Sequence, residues 1–354
     1  MTVNFRPEGA WTALVTPFDK KGKLDPAALK RLVEFQIAQG ITGLVPTGTT
    51  GESPTLSWEE HNRVIEETIA FSRGKVGVMA GSGSNCTDEA IDATRHAREA
   101  GASAALIVDC YYNKPSSLEL RTEYYEQIAE WVGDIPIVPY IIPGRCGTAL
   151  SAEDLAQLHL KSPTRFPAVK EATGDLERMR YERELTGGKM AILSGDDDLT
   201  MAMMEDAKIQ AAGVISVMSN VIPGAVARMV AAMRSGKIAD AKALGEKLDP
   251  LFKLVGCKVT GKRSLPNGKD VSVEDKFPNP VPVKTMMAGL GMPVGICRRP
   301  LGKMPREGVE RCRKALLDLF KADPDTLKPI GDAFGVNIAA RLSDDGVWAE
   351  LTRP

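Results

Sequence analysis

The sequence of 354 residues has almost no excess of charge of either sign. Its 45 lysines and arginines are balanced by 46 aspartates and glutamates, which leaves a formal net charge of −1. A chain without a basic excess offers no global attraction to nucleic acid or to an anionic membrane surface. We therefore expect small molecules as partners, with no nucleic acid and no membrane.

Long hydrophobic runs are also missing. Residues 1–7 contain no apolar core of the kind a signal peptide needs, and no run approaches the length of a transmembrane helix. With 43% hydrophobic residues, the chain can still bury one large core and additional helices. These features predict a soluble globular protein located in the cytoplasm.

The residues that usually bind metal are scarce or scattered. Six cysteines are widely spaced and form no CxxC pair, which disfavours a zinc site and a disulfide framework. The three histidines, His61, His96 and His159, all fall in helical patterns rather than in a cluster. We expect no metal site.

A regular alternation of strand and helix patterns runs through the first two thirds of the chain. Eight short β-rich runs, each followed by a helical pattern, lie at 11–16, 43–46, 76–80, 104–108, 135–140, 168–171, 191–193 and 213–217. An open, doubly wound sheet would be expected to carry a nucleotide-binding glycine fingerprint, and none is present. The pattern therefore predicts the α/β class, as a closed parallel (β/α)8 TIM barrel.

The last third of the sequence is mostly helical. We expect a barrel with the active site over residues 1–225 and an appended C-terminal helical region over 226–354. Residues 257–275 interrupt the helical rhythm, and Asn267-Gly268 lies there between β-forming runs. Asn-Gly between such runs is a strong hairpin signal, so we expect an inserted hairpin at 257–275.

One lysine lies in an apolar run that resembles a buried strand. Lys170 follows Pro167-Ala168-Val169 and precedes Glu171. Burial penalises the ammonium form, which lowers the pKa of a lysine and makes the nucleophilic amine accessible. Lys170 is therefore a candidate imine-forming residue. The alternative is a lysine that extends to water or pairs with Glu171.

Other strand ends are polar, and in a (β/α)8 barrel the active site lies at the C-terminal ends of the strands. The second strand leads into Gly48-Thr49-Thr50-Gly51-Glu52, which can hold a carboxylate or form an ordinary tight turn. Tyr140 ends the fifth strand and offers either proton transfer or amphipathic packing. Arg145 can bind a substrate carboxylate or form a surface ion pair.

Several motifs, taken together and in order, resemble those of the dihydrodipicolinate synthase family, part of the N-acetylneuraminate lyase superfamily of pyruvate-dependent class I aldolases. The motifs are 48–52, Tyr111-Tyr112-Asn113, Tyr140 with Pro143-Gly144-Arg145, Lys170 to Gly174, Leu193 to Asp197, Gly213 to Val217, and Asn279-Pro280 with Pro282-Val283-Lys284. The sialic-acid lyases resemble the chain in the first and fourth motifs but usually lack the arginine, so Arg145 favours the synthases.

The resemblance implies a lyase that condenses pyruvate with L-aspartate 4-semialdehyde in lysine and diaminopimelate biosynthesis. Lys170 would form the imine, so no cofactor is needed. Tyr140, Thr50 and Tyr112 would transfer protons, with Tyr112 supplied by a neighbouring subunit of a homo-oligomer, a dimer or tetramer. The remaining substrate-binding positions would be Thr49 with Thr50 for the pyruvate carboxylate, Arg145 for the semialdehyde, and Gly195 and Ile215 beside the imine.

A regulatory resemblance concerns lysine as an inhibitor. The positions that match the family's lysine pocket are Ser53, Pro54, Trp58, His61, Asn85, Glu89 and Tyr111. Glu89 would bind the lysine ammonium, and Asn85 with Tyr111 would bind the polar end. The alternative is that His61 and Glu89 are solvated helix residues.

Four features depart from the family pattern, and they leave the identity of the second substrate open. Ile141 stands where asparagine is usual, and Cys146 where threonine is common; the hairpin insertion and the tail beyond about residue 323 have no counterpart in shorter members. The alternative functions are a pyruvate aldolase or dehydratase for a 2-keto-3-deoxy sugar acid, a metal-dependent aldolase, and a non-catalytic relative that keeps the pocket for binding.

Overall fold

The computed structural model describes Phe5 and residues 7–353. Within them, eight parallel strands pair in chain order and β1 pairs with β8, which closes a barrel and confirms the predicted fold class. The strands are β1 Gly9–Ala13, β2 Gly43–Val45, β3 Gly77–Gly81, β4 Ala104–Val108, β5 Ile137–Ile141, β6 Ala168–Glu171, β7 Ala191–Ser194 and β8 Gly213–Ser216.

Helices surround the barrel and form the C-terminal region. They are α1 Pro26–Ala38, α2 Trp58–Ser72, α3 Thr87–Ala100, α4 Ser117–Glu119, α5 Glu126–Trp131, α6 Pro143–Cys146, α7 Ala152–Lys161, α8 Leu176–Thr186, α9 Thr200–Glu205, α10 Pro223–Arg234, α11 Ile238–Phe252, α12 Val281–Gly289, α13 Arg306–Ala322, α14 Pro324–Phe334, α15 Ile338–Ser343 and α16 Asp345–Glu350. None of the helices in the described part of the chain has both the length and the apolar character that a membrane-spanning helix requires.

Side chains cap the first turns of two helices. The Asp25 carboxylate accepts the Ala28 N–H at 2.9 Å at the start of α1. At the start of α2, the Ser57 hydroxyl accepts the Glu60 N–H while the Glu60 carboxylate accepts the Ser57 N–H, each at 3.2 Å. These bonds satisfy backbone donors that have no partner inside the helix.

Alternate residues of each strand point into the barrel or toward the helices. On β6, Ala168 belongs to the interior cluster, whereas Val169 packs in the cluster beneath the helices. Trp11 of β1 fills one end of the interior, and it needs a glycine at position 43, because an added Cβ there would lie 2.2 Å from its ring. The same alternation places Lys170 inside the barrel.

The C-terminal helices share the barrel's hydrophobic core. One buried cluster contains Leu14 and Val33 of the barrel together with Leu316 and Trp348 of the C-terminal region. A boundary at residue 225 falls inside α10, which packs against β1 as the eighth helix of the ring. The two parts of the chain therefore meet through packed side chains.

The tail beyond α13 packs against the end of α12. The Trp348 ring is buried, and a Cβ added to Gly289 would lie 2.2 Å from it. The Arg341 guanidinium donates to the carbonyls of Ala288 and Gly289, both at 2.8 Å. These contacts satisfy carbonyls that the helix end leaves without an intrahelical partner.

The predicted hairpin is present. Strands β9 Cys257–Ser264 and β10 Asp270–Phe277 pair antiparallel, and Gly268 in the turn has a φ of 82°, which glycine adopts readily. The hairpin reaches two residues beyond the predicted limit. Its charged side chains are solvated, as in the exposed ion pair of Arg263 with Asp275.

Candidate active site

Lys170 lies inside the barrel with 4% of its surface exposed. In the sheet register it is paired with Tyr140 of β5 and Leu193 of β7, and its Nζ lies 4.0 Å from the centre of the Tyr140 ring. Burial lowers the pKa of Lys170 to about 8, although the carboxylates of Asp196 and Asp197 oppose this shift. The side chain is therefore poised as a nucleophilic amine.

Glu171 is not the ion-pair partner of Lys170. It faces the surrounding helices, where its Oε1 accepts the Thr173 N–H at 3.0 Å and its Oε2 lies 3.4 Å from Arg178 Nε. Since neighbouring residues of a strand point to opposite faces, Glu171 and Lys170 cannot share a site. The structure rules out the alternative in which Glu171 neutralises the lysine.

Two aspartates after β7 supply the negative charge near Lys170. Burial raises the pKa of Asp196 to about 6. Asp197 accepts the backbone N–H groups of Val217 and Met218 at 2.9 and 3.0 Å, as well as the Ser216 hydroxyl. Asp197 is thereby fixed to the end of β8. Neither aspartate was predicted to have a role, although both closely follow the end of β7 at Ser194.

The β2 loop, residues 47–52, is a tight turn with an unusual backbone. Thr47 and Glu52 have φ values of 55° and 57°, a left-handed conformation that is uncommon outside glycine. The Thr47 hydroxyl donates to the Gly81 carbonyl at 2.9 Å, and the Thr16 hydroxyl donates to the Gly51 carbonyl at 2.6 Å. Thr49 and Thr50 are therefore presented from a loop held at both ends.

A cavity of about 480 Å³ opens above the C-terminal ends of the strands. Thr49, Tyr111, Tyr140, Arg145 and Cys146 contribute to its wall, together with Asn279 from the C-terminal region. Two predicted residues lie buried beside this wall: Ile215 in the interior cluster with Tyr140, and Thr50 next to Thr49. Gly195 follows β7, where a Cβ would lie 2.6 Å from Ala172.

Asn279 links the parts of the cavity wall. Its Nδ2 donates to the Thr50 hydroxyl at 2.9 Å, and its backbone carbonyl accepts Arg145 Nη2 at 3.1 Å. Its Oδ1 is buried and, within the described part of the chain, has no hydrogen-bond partner. From the sequence, Asn279 was predicted only as part of a motif. Its contact with Thr50 depends on the fold, because the two residues are far apart in the chain.

Arg145 is available to bind an anion. No carboxylate of the described residues lies within ion-pair distance of its guanidinium. Arg145 therefore forms no surface ion pair with the described residues, and its guanidinium lies in the cavity wall. A guanidinium in this position matches the geometry of a substrate carboxylate.

Tyr140 keeps its proton at neutral pH. It is buried among interior strands, and this burial raises the pKa of its phenol above the ordinary value of 10. The Tyr140 hydroxyl is therefore a proton donor in its resting state. To act as a base, Tyr140 must first pass this proton to a partner.

The two neighbouring tyrosines after β4 have different surroundings. Tyr111 lines the cavity, and partial burial together with the Glu89 carboxylate raises the pKa of its phenol. Tyr112 is 85% exposed and has a φ of 74°, so it contributes nothing to the cavity of its own chain. The structure places Lys170 against Tyr140, with the Thr49 side chain hydrogen-bonded to the Tyr140 phenol, whereas Thr50 is bonded to Asn279 and Tyr112 lies outside the cavity.

The two single-residue departures from the family pattern, Ile141 and Cys146, have different surroundings. Ile141 packs in the cluster beneath the helices, because its strand neighbour Tyr140 takes the inward position. Cys146 lines the cavity, and burial raises the pKa of its thiol to about 12. Of the two, only Cys146 is placed to contact a ligand, and it does so as a neutral thiol.

The residues of the predicted lysine pocket lie near the first turns of α2 and α3. Ser53, Pro54 and Tyr111 line the outer cavity, and the half-exposed Trp58 ring stands 5.0 Å from the His61 ring. His61 is buried, which lowers its pKa to about 4 and corrects the alternative of a solvated histidine. Asn85 has a buried Oδ1 without a partner among the described residues, and exposed Glu89 accepts the Ser84 hydroxyl at 2.5 Å.

Comparison with known proteins gives consistent results. The sequence profile of the Dihydrodipicolinate synthetase family matches residues 6–318. The 4-hydroxy-tetrahydrodipicolinate synthase of Methanothrix thermoacetophila is 42% identical over 309 residues, which cover 87% of this chain and 95% of that protein.

Solved structures agree with the sequence comparison. The chloride-inhibited dihydrodipicolinate synthase of Acinetobacter baumannii, complexed with pyruvate, is 35% identical with a TM-score of 0.78, and the match covers 89% of this chain and 99% of that one. The enzyme of Cyanidioschyzon merolae with lysine bound is 31% identical with a TM-score of 0.78 over 88% and 98% of the two chains. A barrel with a buried lysine, an adjoining cavity and a profile match over most of its length places this chain in the dihydrodipicolinate synthase family.

Proposed function

We propose that this chain is a 4-hydroxy-tetrahydrodipicolinate synthase that condenses pyruvate with L-aspartate 4-semialdehyde. The observation that carries the proposal is the buried Lys170 amine beside Tyr140, with its pKa lowered to about 8. The relative from Methanothrix has this activity in its name, and the Acinetobacter relative holds pyruvate. We place the product in lysine and diaminopimelate biosynthesis and the enzyme in the cytoplasm.

The reaction begins with bond formation between Lys170 Nζ and the keto carbon of pyruvate. The keto oxygen leaves as water, and a protonated imine remains. This imine withdraws electrons from the adjacent methyl group, so a methyl proton is lost and an enamine forms. The imine itself is the electron sink, and the proposed reaction needs neither a metal nor a cofactor.

The enamine carbon then attacks the aldehyde carbon of the semialdehyde. The new carbon–carbon bond leaves a negative oxygen, which takes up a proton and becomes the hydroxyl of the product. The amino group of the bound semialdehyde next attacks the imine carbon, which closes the ring and releases the Lys170 amine. The product is 4-hydroxy-tetrahydrodipicolinate, and the enzyme returns to its starting state.

We assign the proton transfers to Tyr140, Thr50 and Tyr112. Tyr140 lies against Lys170 and starts the cycle protonated. The Thr50 hydroxyl is oriented by Asn279. Tyr112 reaches this chain's site only if a second subunit supplies it, because its own chain exposes it to solvent. The chain therefore works as a homo-oligomer, a dimer or a tetramer.

The two carboxylates of the substrates bind to different residues of the cavity wall. Thr49 and Thr50 receive the pyruvate carboxylate, and Arg145 binds the semialdehyde carboxylate with its unpaired guanidinium. We assign Gly195 and Ile215 to positions beside the imine, since Ile215 belongs to the interior cluster with Tyr140 and Gly195 directly follows β7.

Borohydride trapping with pyruvate tests the imine. Borohydride reduces the imine to a stable amine, so peptide mass spectrometry is expected to find a pyruvyl adduct on Lys170. Lys170→Ala is expected to lose the adduct, whereas the exposed Lys189→Ala is the matched control that retains it. A folded protein that gives no adduct contradicts the proposal and favours a non-catalytic binding role.

The aldehyde is identified by turnover. L-aspartate 4-semialdehyde is expected to be consumed in the presence of pyruvate. Cleavage of a 2-keto-3-deoxy sugar acid, without turnover of the semialdehyde, would instead identify a related aldolase or dehydratase. Both outcomes require the Lys170 adduct, so the second assay separates the substrate from the mechanism.

We further propose that lysine inhibits the enzyme by binding near α2 and α3. The support is the Cyanidioschyzon relative, which has lysine bound, together with the buried Oδ1 of Asn85, which has no partner among the described residues, and the Glu89 carboxylate, which accepts the Ser84 hydroxyl. Glu89 would bind the lysine ammonium, and Asn85 with Tyr111 its polar end; Ser53, Pro54, Trp58 and His61 complete the proposed pocket. Calorimetry is expected to detect binding that Glu89→Ala weakens. No heat at millimolar lysine would contradict this assignment.

A further inference from the structure

A lysine of the C-terminal region and a glutamate of the barrel form an ion pair hidden from solvent. Lys284 Nζ lies 2.7 Å from Glu52 Oε1, and the two side chains are 2% and 0% exposed. Lys284 Nζ also donates to the carbonyls of Thr16 and Ile296, at 3.1 and 3.4 Å. Its charge is therefore satisfied entirely by groups of the protein.

The second carboxylate oxygen of Glu52 is held by the same part of the chain. Glu52 Oε2 accepts the Arg298 N–H at 2.7 Å. The Arg298 guanidinium donates to both carboxylate oxygens of Glu60, each at 2.6 Å, and to the Thr55 carbonyl at 3.1 Å. Both oxygens of Glu52 and the chain immediately after it are thus fixed by residues 284–298.

Stability alone is a weak reason for such a pair. Removing two charges from water costs free energy that their attraction only partly returns, and apolar side chains of similar volume often stabilise a protein equally well. Hydrogen-bonded charges instead fix geometry, because the hydrogen bonds hold each carboxylate oxygen at one defined position. The left-handed backbone at Thr47 and Glu52 persists only if the surroundings hold it.

The position that this pair fixes lies next to the proposed pyruvate site. Glu52 ends the β2 loop, and Thr49 and Thr50 stand three and two residues before it. The Glu52 N–H donates to the Thr49 carbonyl at 3.2 Å, so a shift of Glu52 moves Thr49 with it. Thr49 lines the cavity, and Thr50 is bonded to Asn279 of the same C-terminal region.

We propose that Lys284 is a positioning residue for pyruvate. Acting through Glu52, it sets the spacing of Thr49 and Thr50 and thereby the site that receives the pyruvate carboxylate. Lys284 touches no substrate atom. This inference rests on the proposed function and adds to it a residue of the C-terminal region on which pyruvate affinity depends.

The test measures how much pyruvate is needed for half-maximal borohydride trapping. Lys284→Met removes the ammonium, and Glu52→Gln combined with Lys284→Met removes both charges without leaving one buried and unpaired. In both variants the half-saturating pyruvate concentration is expected to rise about tenfold, equivalent to about 1.4 kcal/mol of binding free energy. The trapping rate at saturating pyruvate is expected to stay within about threefold of the parent rate, because Lys170 is unchanged.

A distant ion pair supplies the matched control. Lys247 and Asp323 lie 2.8 Å apart on the outside of the C-terminal region and are partly exposed. Lys247→Met removes a lysine from an ion pair in the same way but is expected to leave half-saturation unchanged. A rise in this control equal to that in Lys284→Met would overturn the proposal, since it would show a general effect of loosening the region.

The double variant keeps the proposal falsifiable if Lys284→Met fails to fold. A folded double variant with the parent's half-saturation would overturn the proposal, because the ion pair would then be structural only. A parent protein that forms no pyruvyl adduct overturns the proposed function itself, and this proposal with it. The two failures are therefore distinguished by the parent protein alone.

Discussion

The lowered pKa of Lys170 predicts how imine formation depends on pH. Only the unprotonated amine attacks a carbonyl carbon. With the pKa at about 8, about one Lys170 amine in ten is unprotonated at pH 7. A lysine with the ordinary pKa of 10.5 would have about one in three thousand. Burial therefore increases the reactive form roughly 300-fold at neutral pH.

The assay is rapid mixing with excess pyruvate, quenching into borohydride, and mass spectrometry of the Lys170 peptide between pH 6 and pH 10. The initial rate is expected to rise about tenfold per pH unit at low pH and to level off above about pH 8. A rate that keeps rising to pH 10 would refute the reasoning, because Lys170 would then titrate like a lysine in water.

A pair of variants tests the physical cause of the shift. The Asp196 carboxylate favours the ammonium form of Lys170, so Asp196→Asn is expected to lower the lysine pKa further and move the plateau to lower pH. Asp198 is exposed and is not among the charges that act on Lys170, so Asp198→Asn is the control with no expected shift. Equal shifts in the two variants would contradict the assignment.

Three further measurements test a buried carboxyl group, a hydrogen bond in the cavity wall, and the packing of the C-terminal tail. Burial raises the pKa of Asp109 from 3.8 to about 7. The unfolded carboxyl loses its proton near pH 4 while the folded one retains it, so stability falls as the pH rises toward 7. Urea unfolding should show about 3 kcal/mol less stability at pH 8 than at pH 5 from this group, a loss absent in Asp109→Asn. Asn279→Ala removes the bond to Thr50 and is expected to reduce kcat about fivefold in steady-state assays, because a hydrogen bond contributes about 1 kcal/mol; an unchanged kcat would contradict this. Trp348→Ala is expected to lower the free energy of unfolding by about 3–5 kcal/mol in urea titrations, whereas a loss below about 1 kcal/mol would show that the ring contributes little packing.

The sequence was sufficient for those parts of the fold that depend on local pattern. Short apolar runs separated by helical patterns predicted the eight strand–helix units, and Asn267-Gly268 predicted the hairpin. The prediction of a buried Lys170 succeeded because the residues that precede it in its strand, Ala168 and Val169, are apolar. Strand limits were less accurate: β1 begins at Gly9 rather than Trp11, because Gly9 and Ala10 pair with β8. Leu14 and Val15 are buried in the loop after it, which made that strand look longer.

The links between distant segments could not be read from the sequence. Asn279 bonds to a threonine 229 residues earlier, and Lys284 to a glutamate 232 residues earlier. Such contacts depend on the closure of the barrel and on the way α12 packs against it. Local propensity carries no information about either, so the second wall of the cavity was found only in the structure.

Closure between the first and last strands has a consequence for synthesis of the chain. β1 finds its second neighbour only when residues 213–216 have emerged, and a shorter nascent chain exposes unpaired edges at β1 and β7. Such edges are templates for pairing with other chains. The loop that ends at Glu52 also lacks its hydrogen-bond partners until Lys284 and Arg298, more than 230 residues later, have emerged. The ribosome must therefore deliver most of the C-terminal region before the catalytic pocket is complete, and a partial chain is exposed to aggregation until then.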